Sequence, residues 1–257
     1  MMKKIVFFDI DGTLLNHEKE IPSSTKLAIE ELKNNDVYVA IATGRAPFMF
    51  TSLREELGVD SFVSFNGQYV MFEGKVIYEN PLGQKELTML YEQASTKNFP
   101  MVFMNEKEMK ASENEHPFIS KSLGSLKHDY PEVDLTFKDK NKIYQALLFC
   151  EENEEVPFIP KDDAYHFIRW HDYSCDVLPG GGSKAVGVKK IVEASGLKLE
   201  NSFAFGDGLN DIEMIKEVGT GVSMGNGVLP LKEIADYVTD NVDENGIYNG
   251  LKHLGLI

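Results

Sequence analysis

Asp9-Ile10-Asp11-Gly12-Thr13 places two carboxylates two residues apart, directly after the apolar run Ile5–Phe8. On an extended chain, residues at that spacing point to opposite faces. Both can serve one site only where strand gives way to loop, and Gly12 tolerates backbone conformations closed to residues with a Cβ. Capping of the following turn is the other use for such acids. Two further polar groups also follow short apolar runs. Thr43-Gly44-Arg45 offers a hydroxyl, a flexible backbone N–H and a guanidinium, and Gly206-Asp207-Gly208-Leu209-Asn210-Asp211 adds two acids and an amide. In open α/β sheets, ligands bind outside the carboxyl ends of the strands. If these runs are adjacent parallel strands, Asp9, Asp11, Asp207 and Asp211 meet at one sheet edge. Four carboxylates together repel unless a hard cation neutralises them, and Mg²⁺ takes oxygen ligands of this kind. Hydroxyl, amide, Lys and Arg donors suit a phosphate. The residues therefore describe an acidic, Mg²⁺-loaded, phosphate-directed site.

The elements that must position these groups are legible in the same stretches. "KIVFFDI" reads as a continuous buried strand. "IPSSTKLAIEELKNN" reads as a helix, started at Pro22-Ser23 and with Ala28 and Leu32 on one face. "VYVAIAT" is a second buried strand, "PFMFTSLREELG" a helix stopped by Gly58, and "SFVSFNG" a third strand. Such alternation predicts a parallel sheet with right-handed crossovers. "YVMFEGKVIYE" reads as a hairpin around Glu73-Gly74.

From 83 to 182 the texture changes. Helical patterns at Gln84–Lys97 and His116–Leu126 mix with the strand-like "MVFMN", "YQALLFC" and "AYHFIRW". After Lys184 the alternation resumes: "SKAVGVKKIVEASGL" as a helix ended by Gly196, "SFAFGDG" as a strand, "LNDIEMIKEV" as a helix, "GTGVSMGN" as a strand, and "PLKEIADYV" as a helix and final strand. The expected organisation is a discontinuous α/β domain, 1–82 with 183–257, carrying an inserted α+β unit at 83–182. Pro81-Leu82-Gly83 and Pro179–Gly182 are the candidate hinges.

Composition narrows the class. The chain has 257 residues, enough for a sizeable core. A formal net charge of −15 argues against nucleic acid and anionic membrane as partners, while a small anionic substrate stays possible because local charge can oppose the global sign. Two cysteines, Cys150 and Cys175, exclude a disulfide framework and read as small buried hydrophobes. The apolar run after Lys3-Lys4 is too short for a signal peptide, and no stretch approaches a membrane span. A cytoplasmic protein with no obligate protein partner is expected.

"DIDGT", "TGR", the Lys of "GGSKA" and "GDGLND" resemble, in order and spacing, the haloacid-dehalogenase superfamily of phosphohydrolases. The insertion resembles the type IIB cap of its Cof-like sugar-phosphatase branch. The resemblance implies a three-layer Rossmann-like core with a parallel sheet, and a cap that closes over the site, excludes water and selects the leaving group. It implies Asp9 as nucleophile, giving an aspartyl-phosphate. Asp11 would be general acid to the leaving alkoxide and then base toward water. Asp9, the Asp11 carbonyl and Asp207 would hold Mg²⁺, with Asp211 ligating it or ordering its outer coordination. Thr43, Gly44 and Asn210 would contact phosphoryl oxygens. Arg45 would bind phosphate or pair with a neighbouring acid, and Lys184 would neutralise nucleophile and phosphate together. The function implied is a Mg²⁺-dependent phosphomonoester hydrolase acting on a small phosphorylated metabolite, sugar phosphates first. The alternatives are a phosphotransferase or mutase using the same intermediate, or a non-catalytic phospho-sensor, against which Asp11 speaks.

Other features carry less. "VLPGGGSKAVGV" imitates a nucleotide-binding P-loop, but Ser183 precedes the lysine and Ala185 follows it, so the hydroxyl that would ligate Mg²⁺ is misplaced. The glycines read instead as the return from insertion to core. Arg169–Tyr173, "RWHDY", reads either as a leaving-group contact or as a strand with Phe167, Arg169 and His171 opposite Ile168, Trp170 and Asp172. Asn66-Gly67 is either a substrate contact or a turn. Charge-dense Glu106–His116 reads as solvated surface. His17, His128, His166 and His253 lack metal-ligand spacing.

Overall fold

Four wholly buried residues, Ile5–Phe8, form β1 at the middle of an eight-stranded sheet. The computed structural model describes residues 3–257, so the first two residues of the expected segment 1–82 lie outside the described residues. After β1 come α1 (Ser23–Asn34), β2 (Tyr38–Ala42), α2 (Thr51–Leu57), β3 (Phe62–Ser64) and the hairpin β4 (Tyr69–Phe72) and β5 (Lys75–Glu79). The middle of the chain holds α3 (Gln84–Thr96), β6 (Met101–Met104), β7 (Met109–Ala111), α4 (Pro117–Ser125), α5 (Phe137–Lys140), β8 (Gln145–Leu148), β9 (Tyr165–His171) and β10 (Ser174–Pro179). It closes with α6 (Lys184–Ser195), β11 (Ser202–Gly206), α7 (Ile212–Glu217), β12 (Thr220–Ser223), α8 (Leu229–Lys232), β13 (Tyr237–Val238) and α9 (Gly246–His253). Two compact units result. One comprises the chain through Arg45, Met49–Glu79 and Ser183–Ile257, and the other Asn80–Gly182 with Ala46–Phe48.

In the first unit the strand order is β13-β12-β11-β1-β2-β3-β4-β5. Pairing is parallel from β13 to β3, and the β4–β5 hairpin adds an antiparallel edge. Because strand side chains alternate, Ile5 and Phe7 face one way and Val6 and Phe8 the other. Ile5, Phe7, Ala40, Val63 and Ala204 pack with Val188 and Ile191 of α6, Met214 and Ile215 of α7 and Leu231 of α8. On the opposite face Phe8 stacks on Phe205 at 5.2 Å between ring centroids, and Gly250 of α9 lies so close to the Phe205 ring that a Cβ would overlap it. With α9 packed on α1, helices cover both faces. The three-layer α/β architecture expected of the sequence is present, parallel except at its hairpin edge.

The second unit is a five-stranded antiparallel sheet, β7-β6-β8-β10-β9. Leu87, Leu90 and Ala94 of α3 and Phe137 of α5 pack on Met101, Phe103, Ala146, Leu148 and Val177. Besides the short α5, three elements depart from the sequence reading. β7 lies inside Glu106–His116, expected as solvated surface, because pairing with β6 holds three residues of little strand preference. β10 was not anticipated, since Ser174, Asp176 and Pro179 are poor strand formers, yet it pairs on both sides. α9 carries Gly246 and Gly250, which disfavour isolated helix, but the second is what allows its approach to Phe205. Among the described residues no helix is long and apolar enough to cross a membrane.

Candidate active site

β1 and β11 are parallel neighbours with Phe8 beside Phe205, so the chains leaving them emerge together. Asp9 donates its backbone N–H to the Phe205 carbonyl at 3.0 Å. Gly12 turns with φ +76° and faces the Asp207 carboxylate, where a Cβ would overlap it. Asn226 fixes this loop by donating to the Gly12 carbonyl at 2.8 Å, and Thr13 donates its hydroxyl to Asp207 Oδ1 at 3.3 Å.

Lys184 opens α6 behind Ser183, whose hydroxyl caps the helix by accepting from the Val186 N–H. It is 1% exposed, and its Nζ donates to Asp9 Oδ1 at 2.6 Å and to Asp211 Oδ1 at 2.7 Å. The other Asp211 oxygen accepts from the backbone N–H groups of Asp207 at 3.0 Å and Gly208 at 2.9 Å. Asp9, Asp207 and Asp211 bring carboxylate oxygens within 4.8 Å of one another. Three acids therefore face one ammonium in a largely buried space. Burial pushes the Asp9 carboxyl up to about 7; the charges of Asp211 and Asp207 add to this and Lys184 opposes it. Burial and Asp211 push Asp207 up to about 6. Burial alone would lower the Lys184 pKa, but Asp211 and Asp9 outweigh it and hold the ammonium above its ordinary range. A hard divalent cation fits this donor set: all the available ligand atoms are carboxylate oxygens, and one ammonium does not balance them.

The Asp11 side chain is engaged apart from that group. Arg45 grips it as a fork, Nε to Oδ2 at 2.9 Å and Nη2 to Oδ1 at 2.6 Å, and Lys19 reaches Oδ1 at 2.6 Å. Burial works against its charge, but the Arg45 and Lys19 contacts hold the carboxyl below its ordinary value. Thr43 is buried and accepts the Arg45 N–H at 3.1 Å. Asn66, left-handed at φ 52°, donates its N–H to the Thr43 carbonyl at 3.1 Å and accepts from Asn210 Nδ2 at 3.3 Å. Its amide also packs against Gly44. All the predicted site residues thus fall in the first unit, as one acid–lysine group and one Arg–Asp pair, with Thr43, Gly44 and Asn210 joined through Asn66.

Sequence reasoning missed Lys19. The signal that could have found it is the Asn16–Glu20 turn, where the Asn16 carbonyl accepts from the left-handed Lys19. "RWHDY" lies in the second unit. Arg169 is a structural tie there, bonded to Glu155 and to the carbonyls of Cys150, Glu151, His171 and Asp172. Asp172 falls beyond β9, and a bulge between Ser174 and Cys175 breaks the expected alternation.

The chain superposes with a TM-score of 0.97 on the crystal structure of a protein from Geobacillus kaustophilus HTA426, at 54% identity, covering 99% of this chain and 100% of that one. It matches the subclass IIB sugar phosphatase BT4131 with a TM-score of 0.84 at 32% identity, covering 99% and 100%. YkrA of Bacillus subtilis (strain 168) is 49% identical over 257 residues, with both chains wholly covered. The family model for haloacid dehalogenase-like hydrolases matches residues 6–251, and on these findings the chain belongs to that family of hydrolases.

Proposed function

We propose that the protein is a Mg²⁺-dependent phosphomonoester hydrolase of small phosphorylated metabolites, sugar phosphates first, working through an aspartyl-phosphate. The observation that carries this reading is the buried Lys184 bridging Asp9 and Asp211 beside Asp207. It leaves a carboxylate oxygen held by one ammonium in an acidic, metal-competent setting. The second unit is read as the substrate-specificity domain.

Asp9, Asp207 and the Asp11 carbonyl would hold Mg²⁺, with Asp211 beside them. When bound, the ion supplies Lewis-acid neutralisation of the phosphoryl oxygens. An Asp9 oxygen attacks phosphorus and the bond to the leaving oxygen breaks; Asp11, protonated, gives its proton to that oxygen. Asp11 then takes a proton from water, the water oxygen attacks phosphorus, and the Asp9–phosphorus bond breaks to release phosphate and restore both carboxyls. For Asp11 to carry a proton, its contacts with Arg45 and Lys19 must loosen, and incoming phosphoryl oxygens are the natural competitors for both cations. Thr43, the Gly44 N–H and Asn210 would contact those oxygens, while Lys184 keeps Asp9 close to the phosphoryl group and neutralises it. The test is turnover of 4-nitrophenyl phosphate in Mg²⁺: Asp9→Asn is expected to fall below about one part in a hundred of wild type with an unchanged far-UV spectrum. Retention above that level refutes Asp9 as nucleophile.

A further inference from the structure

Cys150 lies just past the end of β8, and Cys175 lies on β10, the antiparallel partner of β8. The register sets Cys175 opposite Leu148. The Cys150 N–H donates to the Tyr173 carbonyl at 3.2 Å, which carries the pairing past β8. The two thiols are therefore diagonal neighbours on the α3 side of the sheet, where Leu148, Cys150 and Val177 pack. Both residues are wholly buried. Glu155 reaches them from the connection between β8 and β9, with its side chain 14% exposed. Ligand atoms of Cys150, Cys175 and Glu155 lie within 4.8 Å of one another. Arg169 of β9 closes the group: its Nη2 donates to Cys150 Sγ at 3.6 Å and to Glu155 Oε2 at 2.6 Å, and its Nε to Glu155 Oε1 at 3.3 Å.

Packing as small apolar groups accounts for the burial of both thiols, but not for a carboxylate brought against them, since an apolar pocket gains nothing from a charge. Two sulfurs and an oxygen converging from three separate segments are a donor set for a thiophilic divalent ion rather than for Mg²⁺. Ligands about 2.0–2.3 Å from one tetrahedral ion stand within about 4 Å of each other, so small side-chain movements suffice. A coordinated thiol gives up its proton. Two thiolates, the Glu155 carboxylate, the ion and the Arg169 guanidinium then sum to no net charge, as a buried group requires. Arg169 stands as an outer partner, with N–H groups on a sulfur and on the carboxylate, the kind of support that orients metal ligands. It also lines an open cavity of about 510 Å³ together with Glu151, Glu152 and Asp172, so a cation approaches along acidic walls. We propose that Cys150, Cys175 and Glu155 bind one thiophilic divalent cation of the Zn²⁺ kind, with a fourth position open. The ion pins the connection between β8 and β9 to β10. The site shares no residue with the Asp9 group and does not depend on the phosphatase reading.

The chain's two cysteines are Cys150 and Cys175, so a sulfur-to-metal charge-transfer band reports from this site alone and is silent on carboxylate oxygens. Reduced wild type in oxygen-free buffer with excess Mg²⁺ is titrated with Cd²⁺. The ultraviolet sulfur-to-cadmium band is expected to saturate at about one equivalent per chain. Cys150→Ala and Cys175→Ala are each expected to lose the band or weaken binding more than about 100-fold, beyond what loss of an outer partner costs. Glu155→Gln keeps both thiols and an amide oxygen that can accept from Arg169. It is expected to keep the band and bind about tenfold more weakly or worse. Zn²⁺ is expected to raise the Tm of wild type and of neither alanine variant, and melting without metal shows that each variant is folded. No band in wild type overturns the site and leaves the thiols as packing groups. A band that survives either alanine substitution at unchanged affinity overturns it too, as does unchanged affinity in Glu155→Gln.

Discussion

Replacing Lys184 by Met tests the electrostatic account of the site without reference to turnover. The side chains of Lys184 and Asp211 are both 0% exposed, and Lys184 is the shared donor to Asp211 and Asp9 at 2.7 and 2.6 Å. Removing one partner of a buried ion pair leaves an uncompensated charge and costs about 3–5 kcal/mol. Asp9 can relieve its share by taking a proton, since its carboxyl already sits at about 7, so Asp211 bears most of the loss. Asp211→Asn alone removes one charge-assisted hydrogen bond, at about 1.5–3 kcal/mol, while Lys184 keeps Asp9. In the double variant, the amide oxygen still accepts from the N–H groups of Asp207 and Gly208 at 3.0 and 2.9 Å, and no charge is left alone at position 211. The double variant is therefore expected to be no less stable than Lys184→Met, which gives a coupling energy on the order of 2 kcal/mol. Urea unfolding of all four proteins at pH 7.5 in chelator measures it. A Lys184→Met cost under about 1 kcal/mol, or a coupling under about 0.5 kcal/mol, would refute the reasoning.

The metal-free protein should depend on pH in a set direction. Asp9 and Asp207, raised from 3.8 to about 7 and about 6, bind protons more tightly folded than unfolded, so the stability they contribute is present below about pH 4 and lost as pH rises through 6 and 7. Mg²⁺ binds the ionised form, so calorimetry should show a larger Mg²⁺-induced rise in Tm at pH 8 than at pH 5.5; a pH-independent rise contradicts this. Gly12→Ala puts a Cβ on a residue at φ +76° against the Asp207 carboxylate. It should cost about 1–2 kcal/mol in unfolding free energy and lower kcat more than tenfold, whereas near wild-type kcat would mean the loop is not held as described. Arg45→Met removes the fork on the partly exposed Asp11, so chemical denaturation should detect under about 1 kcal/mol, while kcat/KM falls at least tenfold; an unchanged kcat/KM would leave Arg45 a surface ion pair.

The sequence made the first unit readable because its candidate site sits where periodicity changes. Ile5–Phe8, Tyr38–Ala42 and Ser202–Gly206 are short apolar runs that pair in parallel, and each is followed at once by the acids, hydroxyl or guanidinium that the sheet edge gathers. Lys184 was readable by resemblance rather than by spacing, since it reaches Asp9 across 175 residues. What escaped depended on tertiary partners. β10 owes its existence to pairing on both sides, against the local preference of Ser174 and Asp176. Lys19 sits on an exposed turn, and nothing local says where a flexible four-carbon stem will point. Asn66 was open between turn and substrate contact; the structure gives it the left-handed backbone of a turn, with a side chain that accepts from Asn210.

The distribution of the site over the chain has an energetic consequence. Asp9, Lys184, Asp207 and Asp211 come from three separate segments and meet only when the parallel sheet and α6 are in place, so their burial is imposed by the apolar packing of Ile5, Phe7, Val188 and Ile191. Three acids against one ammonium are not what packing alone would select, and the raised carboxyls of Asp9 and Asp207 register that mismatch. The core must offset it while the site is free of metal. Arg45 and Lys19 meanwhile draw Asp11 toward its charged form, so the two carboxylates of Asp9-Ile10-Asp11 are biased in opposite directions by their surroundings. The proposed roles of nucleophile and proton carrier two residues apart would require such a separation, since identical environments would give two acids titrating together and no division of roles. On the proposed mechanism, its sense in the resting protein, Asp9 raised and Asp11 lowered, is the reverse of what the first step would use. Binding of cation and phosphate would then have to invert it, by ionising Asp9 and drawing Arg45 and Lys19 off Asp11.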